Sequence, residues 1–387
     1  MKLALLPGNR FNPWHFQAYR CLKDDPEITV FRAESEIQER YDRCTDDAFP
    51  FAFERIDFDT QAGPLLRRLL NAAGTRWLER EPRIFPFHER LRGFDVLQSW
   101  ELFTDWSAEA LRAHERFGTP LAVMVWDNIP FNMERNPERR AMKERVAASA
   151  DLFIVHTERS RRMLDVEGVP AGRIAFINPG VDTKAFCPGP STREAFGLDD
   201  GDFVILFVGW LLPRKGIDFL LLALRELLHD PSVESRRLKL MMVGSGPGRE
   251  RVESLLDRLG IREACVFAGS LPYGRMRDAF RSADCFVLPS IATPTWQEQF
   301  GMALIEAMAC GTPVVTTSSG AIPEIVGDCG LLCQPDDFVS LHAALRRLAL
   351  EPSLRNDLAE AGRARALEHF GLQRFADELS ALYVNLA

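Results

Sequence analysis

Short apolar runs alternate with helix-period segments along nearly the whole chain. LALL, DVLQ, LAVMVW, LFIVH, VILFVG, LKLMMVG, CVFAG, CFVLP and TPVVT predict strands. Several of these runs are apolar throughout rather than at alternate positions. That pattern suits strands covered by helices on both faces. After VILFVG, Ile217, Leu220, Leu221, Leu224 and Leu228 fall at i, i+3, i+4, i+7 and i+11, a stripe that predicts a helix packed on a sheet. The βαβα rhythm predicts an α/β fold built on parallel sheets.

Punctuation divides this pattern once. Pro188, Gly189, Pro190 and Gly197 cluster between the strand-like RIAFINPG and VILFVG, and set a domain boundary near residue 186. The expected division is 1–185 and 186–371, with a C-terminal helix at 372–387 returning to the first part. A chain of 387 residues has room for two such domains.

Composition narrows the class. At 46% hydrophobic residues, disordered and fibrous chains are excluded. A net charge of -8 argues against a nucleic-acid partner. The eight cysteines show no C-x-x-C spacing, so reduced thiols in a cytoplasmic protein are expected. Cys329 and Cys333 have no neighbouring histidine, and no metal site is expected there. MKLALLPGN is too short for a signal peptide and reads as a buried first strand. The most apolar helical run, IDFLLLALRELL, is broken by Arg225 and Glu226 and cannot span a bilayer.

Three strand ends in the second half carry candidate chemistry. LFVGWLLPRKG closes a strand at Gly209 and presents Arg214 and Lys215 before a helix. LMMVGSGPG closes another with Gly244, Gly246 and Gly248. CFVLPSIATPTWQEQFG leads to Gly301 at a helix start. Ligands of open α/β sheets bind at the carboxyl ends of the strands. Free amides at a helix start favour anions, and an Arg-Lys pair beside them suits a pyrophosphate. Glu298 and Glu306 flank Phe300 and Gly301, eight residues apart. Carboxylates repel phosphates, so these two should face hydroxyls, one on a ribose and one on a transferred hexose.

Each piece alone has an ordinary structural reading. GSGPG lacks the spacing of a dinucleotide fingerprint. Arg214 and Lys215 could be a solvated helix start, and Glu306 a favourable first-turn charge. Their joint occurrence at successive strand ends favours a site. Asp57-x-Asp59 has metal-pair spacing without nucleotide-binding context, and reads as two solvated carboxylates. His156 at a strand end reads as structural. Residues 64–92 hold seven arginines against three glutamates, with leucines and Trp77 between them. A solvated helix face and docking on anionic lipid both fit that segment.

With these motifs in place, the chain resembles the retaining nucleotide-sugar glycosyltransferases of family four, of the GT-B fold. The family's E-x7-E signature resembles Glu298 to Glu306, followed by AMACGTPVV. Its Lys-Gly turn resembles Gly209 to Gly216, and VGSGP resembles its second strand turn. The stretch from ASADLFIVH to NPGVDTKAFCP is similar to the bridge between its domains, and SGAIPEIVGDCGLL to the segment after the signature. The match is dense over 147–335 and thin before it, where acceptors bind.

The resemblance implies two Rossmann-like parallel-sheet domains facing a cleft. Glu306 would hold the donor ribose, Glu298 the transferred sugar, and Lys215 the leaving diphosphate. Phe300, Gly301 and Met302 would offer backbone amides, with Gly209 and Gly244 in the donor turns and Gly8 approaching across the cleft. The implied donor is a nucleoside-diphosphate sugar and the acceptor a glycan or lipid-linked molecule, with no metal and no further cofactor. A membrane-docking 64–92 segment would add peripheral contact with the inner face of the membrane. Two positions depart from the pattern. Trp210 follows Gly209 where the family usually has arginine, and Arg214 could supply that charge. Trp126 stands where many members have histidine, leaving Asp127 and Asn128 for polar contacts. A non-catalytic GT-B scaffold, an epimerase and a phosphorylase are the competing readings.

Overall fold

The computed structural model describes residues 1–8, 13–33, 50–56, 58–59, 83–84, 86–233 and 237–387. Two parallel sheets organise it. The first has seven strands: β1 (Lys2–Leu6), β2 (Glu27–Ala33), β3 (Ala52–Ile56), β6 (Val96–Trp100), β7 (Leu121–Val125), β8 (Leu152–Val155) and β9 (Ile174–Phe176). They lie in the order β3-β2-β1-β6-β7-β8-β9. β4 (Phe58–Asp59) and β5 (Arg83–Ile84) form a separate antiparallel pair. The second sheet has six strands: β10 (Asp202–Val208), β11 (Arg237–Val243), β12 (Cys265–Gly269), β13 (Cys285–Leu288), β14 (Val314–Thr317) and β15 (Gly330–Cys333). Their order is β12-β11-β10-β13-β14-β15.

Continuous apolar runs become the central strands, as their two-sided burial requires. Every residue of β6, β7, β13 and β14 is buried. One face of the second sheet packs on the helices Ile217–Leu228 and Phe338–Leu350. The other face packs on Tyr273–Arg281 and Met302–Ala309. The Ile217–Leu228 stripe is wider than its sequence spacing predicts. Leu227 is fully buried beside Leu220, Leu221 and Leu224, whereas Leu228 is only partly covered. In the two parallel sheets, β2, β3 and β15 are absent from the predicted apolar runs. β2 (EITVFRA) exposes Glu27 and half-buries Thr29 and Arg32, and β3, at the sheet edge, buries only Ile56.

The first sheet packs on the Asp105–Phe117 helix on one face. Its other face is covered by the 3-10 helix Pro13–Cys21 and by Leu372–Leu386. Phe375, Ala376, Leu379 and Tyr383 of that last helix join Leu3, Leu5 and Val30 in one core. The two crossings between domains are laced together. Val181 N donates to Phe370 O at 2.8 Å, and Leu372 N donates to Val181 O at 3.0 Å.

Strand order reverses between β10 and β13 in one sheet and between β1 and β6 in the other. Such switch points open crevices at the carboxyl edge. The turns after β10 and β13 hold Lys215 and Glu298, and those after β1 and β6 hold Gly8 and Glu101. The Asp57-x-Asp59 spacing and most of the 64–92 segment lie outside the described residues.

Candidate active site

The two glycine turns of the second domain interlock. Gly209 N donates to Val243 O at 3.0 Å, Leu211 N to Ser245 O at 2.9 Å, and Gly248 N to Leu211 O at 2.9 Å. A Cβ on Gly244 would stand 2.0 Å from Gly209 O, so only glycine permits this approach. The next turn, Pro213–Lys215, ends at Gly216 with φ 67. There a Cβ would stand 1.8 Å from Pro289 O. Ile291 N donates to Arg214 O at 2.9 Å, fixing the cationic turn against the loop after β13.

That docking brings Lys215 and Glu298 together across 83 positions, with Lys215 Nζ 2.7 Å from Glu298 Oε2. Ser290, itself buried, donates its hydroxyl to the same oxygen at 2.6 Å. The Arg214 guanidinium lies over the Trp296 ring at 4.0 Å, and Lys215 Nζ is 5.2 Å from that ring. The Glu298 backbone is gripped from both domains. Its carbonyl accepts from Ala321 N at 2.9 Å and from Asn128 Nδ2 at 3.0 Å. Gln297 returns the contact, its side-chain amide donating to Asn128 O at 3.1 Å.

Gly301, at φ 90, opens the Met302–Ala309 helix. Phe300 before it is buried, its ring edge-on to Trp126 at 6.1 Å and to Phe370 at 5.8 Å. Glu306 lies in the second turn of that helix and is buried, so a first-turn surface charge does not describe it. Burial pushes its carboxyl up to about 8, tempered by the Tyr273 hydroxyl that donates to Oε1 at 3.0 Å. Tyr273 also shares a hydrogen bond with Gln17 of the first domain, and burial together with the Glu306 charge raises its own pKa.

In the first domain Trp126 is half-buried against His156, ring centroids 4.1 Å apart. His156 Nδ1 donates to Ile177 O at 2.8 Å, a packing role within β8's end. Asp127 turns inward and accepts from Asn128 N at 2.9 Å and from Asn132 Nδ2 at 2.9 Å. Asn128 instead reaches the second domain, as above. Gly8, with φ 92, stands beside Trp106 of its own domain. Trp210 is 42% exposed, so an arginine's charge there would be set in solvent. A pocket opens beside Trp126, with Gln17, Trp100, Met124, Met302 and Phe375 in its wall.

Glu298, Lys215, Arg214 and Asn128 therefore meet at one edge, Phe300 packs on Trp126 beside it, and Glu306, one helical turn after Met302, pairs with Tyr273. Ser290, Tyr273 and Gln17 carry no local sequence signal. Glu101 had one: it is an acid at the carboxyl end of a buried strand. It adopts φ 61 and accepts from Trp126 N at 3.1 Å and Asp127 N at 3.2 Å. Burial, then the Asp127 charge, pushes its carboxyl up to about 8. The edge thus offers fixed cations and helix-start amides for an anion, and carboxyl groups for hydroxyls.

Two family models cover most of the chain. The model described as Glycosyltransferase Family 4 matches residues 27–185, and the one described as Glycosyl transferases group 1 matches residues 190–365. A D-inositol 3-phosphate glycosyltransferase of Acidothermus cellulolyticus is 33% identical over an alignment of 278 positions that covers 66% of this chain and 60% of that protein. Its counterpart in Geodermatophilus obscurus is 34% identical over an alignment of 293 positions that covers 71% and 63% of the two chains. The chain thus spans less than two thirds of the length of these curated relatives. Among solved structures, HepE of Anabaena in complex with UDP superposes with a TM-score of 0.76 at 18% identity over 100% of both chains. Sucrose-phosphate synthase of Thermosynechococcus elongatus gives 0.77 at 22%, over 100% of this chain and 99% of that one. At those identities the likeness is one of fold.

Proposed function

Because this chain belongs to the group 1 glycosyl transferases, we propose that it moves a hexosyl group from a nucleoside-diphosphate sugar to a glycan or lipid-linked acceptor, retaining anomeric configuration, in surface polysaccharide or glycolipid synthesis. The observation that carries this reading is the meeting of Lys215 with Glu298 at the β10–β13 switch point. Residues 186–371 are the donor side in this scheme, and 1–185 with the 372–387 helix the acceptor side.

Lys215 and Arg214 stabilise charge on the diphosphate as the C1–oxygen bond breaks. Helix-start amides at Gly301 and Met302 add fixed dipoles, so the scheme needs no divalent ion. Glu298 orients the hexose through its hydroxyls, and Glu306 the ribose. The acceptor oxygen attacks C1 from the face that the diphosphate leaves. Its proton passes to an oxygen of that diphosphate, so little acid–base machinery is required. Trp126 and the pocket beside it give the acceptor side an aromatic, apolar wall that suits a sugar face or an aglycone.

The test is nucleoside-diphosphate release from UDP-, GDP- and ADP-hexoses. Acceptors are a crude glycolipid extract and D-inositol 3-phosphate, the molecule for which the relatives are named. Release with an acceptor-dependent product, of retained configuration by NMR, supports the reading. Donor binding without turnover across the panel would leave a scaffold, and an inverted linkage would overturn the mechanism.

A further inference from the structure

The Lys215 ammonium has two claims on it once a diphosphate is present, and only one of them belongs to the ligand. Its partner within the chain is Glu298 Oε2 at 2.7 Å, with side-chain exposures of 15% and 8%. Neither group is free to retreat. The Glu298 carbonyl is tied to Ala321 N and Asn128 Nδ2, and its carboxylate to Ser290 Oγ. Lys215 Nζ lies 5.2 Å from the Trp296 ring, and the Arg214 guanidinium lies 4.0 Å from the same ring. A buried carboxylate that loses its cation is strongly disfavoured. One that shares the cation with a second anion meets that anion at close range in a poorly solvated space.

Resting on the donor assignment above, we propose that the Lys215–Glu298 pair makes the site discriminate against the spent nucleoside diphosphate in favour of the intact donor. A diphosphate drawing on Lys215 leaves Glu298, among the described residues, with Ser290 as its remaining side-chain partner. An intact nucleotide sugar brings hydroxyls that donate to Glu298 and replace what the ammonium withdrew. The product of transfer lacks them. The same contact that admits the donor therefore weakens the product and speeds its departure. Ser290 becomes a specificity-determining residue, because its hydroxyl sets how well Glu298 tolerates the loss.

The experiment is calorimetric titration of the full chain with UDP, GDP and ADP, and with their glucose and mannose conjugates. Wild type, Glu298→Gln and Ser290→Ala are compared. Glu298→Gln should bind the free diphosphate at least about tenfold tighter than wild type, and the conjugate no tighter. Ser290→Ala should bind the free diphosphate about threefold more weakly, which keeps the test alive if the glutamine variant misfolds. A folded Glu298→Gln, or Ser290→Ala, with wild-type affinity for the free diphosphate overturns the discrimination while leaving the donor assignment intact. Failure of all these nucleotides to bind wild type overturns both.

Discussion

A carboxyl group sealed in a helix face beside a tyrosine hydroxyl, as Glu306 is, keeps its proton to about pH 8. The ordinary value is 4.5. Between those values the folded chain holds a proton that the unfolded chain has released. Stability from this group is therefore full at low pH and falls as pH rises towards 8. Glu306→Gln removes the slope. The expected outcome is a melting-temperature difference, wild type minus variant, that declines steadily from pH 5 to 8. Parallel melting curves over that range would contradict the burial argument. Lys215 makes the complementary case, a cation whose proposed role lies in transfer. Lys215→Ala should lower turnover by about 10²-fold or more, the scale for losing one preorganised charge stabiliser. Single-turnover kinetics read this directly, and turnover within a few-fold of wild type removes the proposed role.

Turns, rather than helices or strands, decide where Lys215 and Glu298 point. Gly216 and Gly260 both adopt a left-handed conformation, with φ 67 and 68, but only Gly216 is crowded. Gly260→Ala meets nothing within 4 Å and should cost about 1–2 kcal/mol from backbone strain alone. Gly216→Ala adds a collision with Pro289 O and should cost more than that. Denaturant unfolding of the two variants separates the contributions, and equal losses would mean that the crowded turn relaxes. Strand ends of this kind were legible because two-sided burial writes itself as continuous apolar runs. β2 was not, since Glu27 and Arg32 interrupt the apolar pattern along the strand. At the site, residue types at strand ends exposed Lys215, Glu298 and Gly301. The partners were hidden. Ser290 and Tyr273 reach the two glutamates only after the sheet has fixed its strand order, and Asn128 lies 170 positions from the carbonyl it holds. Pairing across such distances depends on topology, which local pattern does not carry.

The molecule as a whole is two domains joined by paired crossings and a few polar contacts. Asn128→Ala removes one contact yet leaves the Glu298 carbonyl bonded to Ala321 N. A lost hydrogen bond is worth about 1 kcal/mol, so the donor KM should rise about fivefold with little change in melting temperature. A large fall in melting temperature would instead assign Asn128 to stability. The Leu372–Leu386 helix predicts a different asymmetry. Leu379→Ala opens a cavity under the first sheet and should cost about 2–5 kcal/mol. Hydrogen exchange should quicken in β1 and β6 and not in β10 and β13. Equal quickening in both sheets would mean that the domains unfold as one.

The same helix sets the order in which a nascent chain can mature. Leu3, Leu5, Phe16 and Tyr19 leave the ribosome early, but the rest of the core that they join arrives with residues 372–386. The later-made half has its strands and covering helices in hand by residue 369 and can close first. Throughout that interval the earlier half waits with a greasy face uncovered, a span in which chaperone capture competes with aggregation.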